Sequence, residues 1–259
     1  MKILLHSSKT MKVVDYDIHK MTIPQFIHEA TELHDVLGRI DVAGLMRLMN
    51  ITETLAKKTK EVTEQWTHGV SSPAALTFRG DIYSGLSAAS WQESDARFAQ
   101  DHLLILSGLY GMLKPFDGIR PYRLEMDYKL QVEPGLNVAQ FWEKIPSGKL
   151  DITETYINLT AYEYYKTVEK QLKGASVVTP RFLTISPKTN QPVFVVVHAK
   201  IARGSFASWL IRHKIVDIAA VKDYNELNYS YNEHLSTPEQ PTFVCKDFGG
   251  IGMSIRLAP

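Results

Sequence analysis

A single cysteine, Cys245, stands in a chain of 259 residues. One thiol excludes an intramolecular disulfide and a thiolate metal cluster, and it points to a reduced, cytoplasmic address. The nine histidines are scattered, with no His-x-x-x-His spacing, so no metal site is expected. No Gly-x-Gly-x-x-Gly follows a strand, which leaves a flavin or nicotinamide unsupported, and no cofactor is expected. Long apolar runs are missing too. Met1-Lys2 is followed only by Ile3-Leu4-Leu5 before the polar His6-Ser7-Ser8-Lys9, too short for a signal peptide or a membrane span, so no membrane partner is expected. There is no surplus of one charge: 29 basic against 28 acidic residues give +1, far from the composition of a nucleic-acid coat protein. Any anion site must therefore come from local clustering.

What is present, over 1–259, suits one large domain or two small ones. Hydrophobic residues at 44% and charged residues at 22% are ordinary usage, and a chain this long buries most of its apolar surface without staples. No repeat, low-complexity tract or Gly/Ser linker divides it. Met1 to Leu5 predicts a strand. Phe26, Ile27, Ala30, Leu33 and Leu37 recur at helical spacing, with Thr22 as the expected N-cap and Pro24 near the start. Val42 to Glu64 predicts two short helices broken at Asn50-Ile51-Thr52, Thr52 capping the second and Leu55, Val62 and Trp66 facing inward. Strands are expected at Ala74 to Phe78, Leu103 to Leu106, Tyr156 to Leu159, Ala175 to Thr184, Val193 to His198 and Thr242 to Lys246. Helices are expected from Asp81, over Ala161 to Val168 and over Ile201 to Ile215, with a hairpin turn at Ser186 to Gln191. This alternation predicts an α/β or α+β fold around a central mixed sheet surrounded by helices.

Five stretches carry polar groups that could do chemistry. Ser7-Ser8-Lys9-Thr10 follows the first strand, where α/β proteins collect ligands, although it lacks the glycines of a Walker loop. Arg79-Gly80-Asp81-Ile82-Tyr83 lies at a strand-to-helix junction, and Asp81 there is either an acid–base group or a helix cap. The third runs from Ser107-Gly108-Leu109-Tyr110-Gly111 to Arg120-Pro121-Tyr122-Arg123-Leu124-Glu125-Met126. It is an irregular stretch crowded with long polar side chains, which suggests that they converge on something. Ser107 sits in no Gly-x-Ser-x-Gly elbow, so a hydrolase triad is weakly supported. In His198-Ala199-Lys200-Ile201-Ala202-Arg203, Lys200 and Arg203 share a helix face, either as an anion site or as a solvated basic surface. Last, the turn around Asn50 and Thr52, followed by Lys57, Lys58 and Lys60, resembles a helix–hairpin–helix without its usual glycines.

These blocks, in this order, resemble the YaaA family of peroxide stress resistance proteins. Ser7 to Thr10, Phe78 to Leu86, Leu106 to Met126 and Ala199 to Gly204 carry the match, and Gln140-Phe141-Trp142, Ile157-Asn158-Leu159 and Glu163-Tyr164 join them. The resemblance implies a single domain of the type named the cantaloupe fold, with a positively charged cleft and a helix–hairpin–helix element over about 42–64. It also implies double-stranded DNA binding and protection from hydrogen peroxide through limitation of free intracellular iron. The family usually has a proline and an alanine before the lysine where this chain has Ser7-Ser8, so Lys9 and Thr10 carry over.

Three functional readings follow, the blandest being a scaffold or iron-handling regulator with no turnover, against which the lack of soft iron ligands counts. In the first, a cytoplasmic stress protein grips duplex DNA through the basic cleft and the Asn50, Thr52, Lys57, Lys58 and Lys60 hairpin. In the second, an enzyme acts on a nucleotide, nucleoside or damaged base. There Lys9, Arg79, Arg120, Arg123, Lys200 and Arg203 hold phosphate, while Thr10, Tyr83, Ser107, Tyr110 and Tyr122 frame the ligand. Asp81 or Glu125 would supply acid–base chemistry. The partner is accordingly double-stranded DNA or a phosphate-bearing small molecule.

Overall fold

Ile3, Leu4 and Leu5 are almost wholly removed from solvent, because the strand they form is the middle of a sheet covered on both faces. The computed structural model describes residues 1–132, 136–145 and 150–253. Chain order begins β1 (Lys2–His6), β2 (Thr10–Met11), α1 (Ile27–Gly38), α2 (Val42–Met49) and α3 (Glu53–Glu64). Then come β3 (Ser72–Pro73), α4 (Ala74–Thr77), β4 (Phe78–Arg79), α5 (Asp81–Leu86), α6 (Glu93–His102), β5 (Leu103–Ser107), β6 (Gly111–Leu113) and β7 (Gly118–Ile119). The remainder is α7 (Val138–Lys144), β8 (Thr155–Asn158), α8 (Tyr162–Glu169), β9 (Ser176–Val178), β10 (Arg181–Ile185), β11 (Pro192–Val193), α9 (Val196–Arg212), β12 (Ser230–Tyr231) and β13 (Thr242–Cys245).

The central sheet is mixed, in the order β6-β5-β1-β8-β9. β1 runs parallel to β5, with Ile3 beside Leu103, and parallel to β8, with Ile3 beside Ile157. Only β6 is antiparallel, folding back on β5 as a hairpin. The chain thus adds strands first on one side of β1 and later on the other. That makes the β1/β8 boundary a topological switch point, the place where α/β sheets open a crevice at their strands' carboxyl ends. A second sheet, β11-β10-β13-β12, is also mixed. Helix α9 packs against α5, α6 and β10 and buries nearly every residue from Ala199 to Ile211, as expected of a helix apolar all round. No helix among the described residues is long and apolar enough to cross a membrane.

Three local expectations change. Ala74 to Thr77 is a helical turn, not a strand: Ala-Ala-Leu are good helix formers behind Pro73, and Thr77 Oγ1 donates back to Pro73 O at 2.7 Å. Helix α1 starts at Ile27 with no side-chain cap, because the Thr22 hydroxyl donates instead to Asp117 Oδ1 at 2.6 Å. The β-branched run after Pro192 pairs for only two residues and then turns helical at Val196. Tertiary contact overrides propensity there: His198 stacks on Phe248 at 4.0 Å and its Nδ1 pairs with Thr184 Oγ1 at 2.9 Å. The paired helices form at the expected places, with Thr52 Oγ1 accepting from Leu55 N–H. Their inward residues on α3 are Ala56, Thr59 and Thr63; Leu55 and Val62 are only half-buried.

Candidate functional site

At the carboxyl end of β1 the chain meets a cleft of about 860 Å³. Its walls come from His6 to Lys12, from Arg79 to Ser84, from Glu125, from Ala161, Glu163 and Tyr164, and from Lys200, with Met253 at its border. Five stretches, distributed from His6 to Lys200 in sequence, therefore meet at one crevice. Antiparallel pairing of β2 with β4 sets Thr10 beside Arg79. Gly80, at φ +107°, turns the chain from β4 into α5, a conformation that favours glycine. Asp81 then opens α5 at the cleft wall.

His6 is buried and fixed from three sides. Its carbonyl accepts from Tyr83 OH at 3.0 Å, its Nδ1 accepts from Ala161 N–H at 3.1 Å, and its ring stacks on Tyr164 at 5.0 Å. Burial, then the neighbouring Arg203 and Lys200 cations, push its pKa down to about 3, so the ring is neutral at ordinary pH. With Nδ1 accepting, the ring proton lies on Nε2.

Glu125 faces the cleft with its side chain 15% exposed. Lys9 Nζ lies 3.8 Å from Glu125 Oε2 and 5.9 Å above the Tyr128 ring. Burial raises the Glu125 pKa, while Lys9 and a hydrogen bond from Tyr164 OH hold it back. Behind the carboxyl group runs a chain of hydroxyls. Ser7 Oγ reaches Tyr164 OH at 3.4 Å and also bonds Tyr122, whose OH sits 2.7 Å from Ser107 Oγ. Ser107 Oγ in turn accepts from Tyr110 N–H at 2.9 Å. Burial lifts Tyr110 to about 12 and raises Tyr122 and Tyr164 well above the ordinary phenol value, so these phenols stay protonated and serve as hydrogen-bond partners. A buried carboxyl with a raised pKa, next to a lysine and at the head of such a chain, is equipped to take up or release a proton.

The expected residues divide by position. Lys9, Thr10, Arg79, Asp81, Tyr83, Glu125 and Lys200 line the cleft. Arg79 is partly engaged already, donating to the Leu76 and Phe78 carbonyls at 2.6 and 3.0 Å. Ser107, Tyr110 and Tyr122 are buried behind the wall and support it. Arg203 donates to Thr160 O at 3.2 Å beside the cleft, with Glu163 favouring its charge against burial. Arg120 points elsewhere: its Nε donates to Gly69 O at 2.9 Å and its guanidinium covers Trp66 at 5.6 Å. Arg123 bonds Tyr128 and lies near Glu125, and its buried Nε has no partner among the described residues.

The hairpin residues lie outside the cleft lining. Asn50 is left-handed at φ 49°, and the N–H groups of Asn50 and Ile51 both donate to Met46 O, so neither is directed at a phosphate. Lys57 pairs with Glu53 at 2.7 Å, and Lys60 donates to Gly38 O at 2.5 Å. Lys58 is exposed.

His6, Lys12, Ser84, Glu163 and Tyr164 line the cleft without having been singled out as site residues. The signal for two of them was available. His6 ends the first strand, and Tyr164 opens a helix after the neighbouring parallel strand, so the carboxyl-end rule applied to both strands would have found them.

Comparison with known proteins identifies the family. The sequence model of a family described as peroxide stress protein YaaA matches residues 1–235. A UPF0246 protein of Salinispora tropica is 44% identical over 258 residues, covering 99% of this chain and 98% of the relative. A UPF0246 protein of a Marinomonas species is 35% identical, covering 94% of this chain and 96% of its own. One from Clostridium beijerinckii is 34% identical, with 94% and 97% covered.

Proposed function

The chain belongs to the peroxide stress protein YaaA family, and from that premise we propose that its cleft binds a nucleotide, nucleoside or damaged base. In this reading Lys9, Arg79 and Lys200 meet the phosphate and Glu125 is the acid–base group. One observation carries it: a partly desolvated carboxyl, raised by burial and backed by Tyr164, faces Lys9 inside a crevice at a switch point. The volume supports the same choice, since about 860 Å³ lies within the roughly 300–1,000 Å³ typical of small-molecule sites. Mixed charge supports it too. Asp81, Glu125 and Glu163 among the lysines suit oriented chemistry, whereas gripping a polyanion needs only cations.

The test is calorimetric titration of nucleoside monophosphates into the wild-type chain and into Glu125→Gln and Lys200→Gln. Saturable binding is expected, weakened by about tenfold or more in Lys200→Gln and retained in Glu125→Gln, while any turnover stops in the latter. No saturable binding at millimolar nucleotide would sink the reading.

A second reading, favoured by the exposed Lys58 and by the family resemblance, is duplex DNA binding by a helix–hairpin–helix within a cantaloupe-type fold. Here the lysines of the hairpin and the cleft rim contact backbone phosphates. Limitation of free iron in the cytoplasm stands downstream of either binding event. Glu125→Gln separates the two readings, because duplex affinity is unchanged or improved when an acidic group is neutralised.

A further inference from the structure

His6 presents an unusual hydrogen-bonding face to the cleft. Its Nδ1 is occupied by Ala161 N–H, so the neutral ring offers a single donor, Nε2–H, with no acceptor and no protein partner among the described residues. A flip of the ring would keep the 5.0 Å stack on Tyr164 but lose the Ala161 bond, so it is that bond which fixes the two roles. The other end of Tyr164, its OH, bonds the Glu125 carboxyl, which also lines the cleft. One rigid tyrosine thus spaces a fixed neutral donor from a carboxyl acceptor, and both face the same volume.

A neutral donor beside a carboxyl acceptor is complementary to a cis-amide edge: a carbonyl oxygen next to a ring N–H. We propose that the cleft selects oxo (lactam-type) nucleobases, with His6 Nε2–H donating to the ring carbonyl and the Glu125 carboxyl accepting from the adjacent ring N–H. The inference rests on the nucleotide reading of the cleft and adds the base class to it. An amino base presents the opposite edge, an NH₂ group against the His6 donor and a bare ring nitrogen against Glu125. Protonating Glu125 would repair the second clash but not the first, because burial and the Arg203 and Lys200 cations keep His6 from changing its state. A site built around a fixed donor rejects the ligand that cannot accept from it, since the donor is then buried unpaired.

Inosine 5′-monophosphate and adenosine 5′-monophosphate differ only at that edge. Titrated into the wild-type full chain, the inosine nucleotide is expected to bind about tenfold more tightly or better, the scale of discrimination given by paired base contacts. His6→Phe keeps a ring on Tyr164 but deletes the donor, and it lowers the ratio by weakening the inosine nucleotide, leaving only the share that Glu125 supplies; an unchanged ratio overturns the role of His6. Equal affinities in the wild type, or a preference for the adenosine nucleotide, overturn the inference and leave the nucleotide reading standing. Failure of both to bind overturns both. Since His6→Phe also removes the acceptor for Ala161 N–H, nitrogen-15 NMR of the wild type provides a measurement independent of that variant's folding. His6 should show an unprotonated Nδ1 and a protonated Nε2 at neutral pH, and the opposite tautomer or a doubly protonated ring overturns the assignment.

Discussion

At the strand end, Ser7 makes two contacts that a proline at the same place could not. Its N–H donates to Leu106 O at 2.8 Å, and its hydroxyl joins Tyr164 to Tyr122. The residues on either side of this chain of hydroxyls, His6 and Glu125, titrate in opposite senses. His6 is depressed, so it favours folding above its ordinary value near 6.5, and that contribution is lost as pH falls from there toward about 3. Glu125 is raised, so ionising it opposes folding: stability falls as pH rises from its ordinary 4.5 through the higher folded value. Glu125→Gln removes the second effect. Its urea midpoint should exceed that of the wild type at pH 7 and match it below pH 4 in parallel unfolding curves. A lower midpoint at pH 7 would mean that the ionised Glu125 stabilises the fold. Lys9, Arg79 and Lys200 were legible as site residues because each flanks a strand end or opens a buried helix. Ser107, Tyr110 and Tyr122 were legible only as polar residues near turns. From 121 to 126 the chain alternates, burying Tyr122, Leu124 and Met126 and leaving Arg123 and Glu125 half-buried, and the missing strand signature hides that alternation in sequence.

Among the elements, the contact between α5 and α9 holds the cleft wall in place, and it is made by backbone. A Cβ on Gly204 would lie 1.8 Å from Ile82 O, and one on Gly85 would lie 2.0 Å from Ile201 O. Gly204→Ala must push the helices apart, costing about 1–3 kcal/mol in chemical denaturation. It should also weaken nucleotide binding, because α5 carries Asp81, Tyr83 and Ser84 into the cleft. An unchanged midpoint would show that the crossing yields freely. Outside the cleft lining, Thr52→Ala removes the N-cap of α3 and should cost about 1 kcal/mol, read as a lower melting temperature, with nucleotide affinity intact. Helices with clear apolar spacing and caps, such as α2 and α3, were legible in the sequence. So was β1, through its apolar run. The division into two sheets was not, because pairing of β10 with β13 joins residues about 60 apart and no local pattern encodes it. The strand-like run before α9 misleads for a related reason, since burial against distant partners decides its conformation.

Across the whole molecule the charges nearly cancel, 29 basic against 28 acidic, so long-range attraction to DNA is weak and any duplex affinity must come from the few cations that touch phosphate. That makes salt dependence a count of contacts. If only Lys9, Arg79 and Lys200 engage the backbone, the slope of log affinity against log salt is about −3, a loss of roughly fortyfold between 50 and 200 mM. If Lys57, Lys58 and Lys60 join them, the slope steepens to about −5, and the loss over the same range exceeds roughly a thousandfold. The ion pairs already made by Lys57 with Glu53 and by Lys60 with Glu64 favour the shallow slope. Fluorescence anisotropy with a labelled duplex at four salt concentrations should therefore give about −3 or less, and Lys58→Glu should leave it unchanged. A steep slope that flattens by about one in Lys58→Glu would establish the hairpin as a DNA contact and move the centre of function away from the cleft.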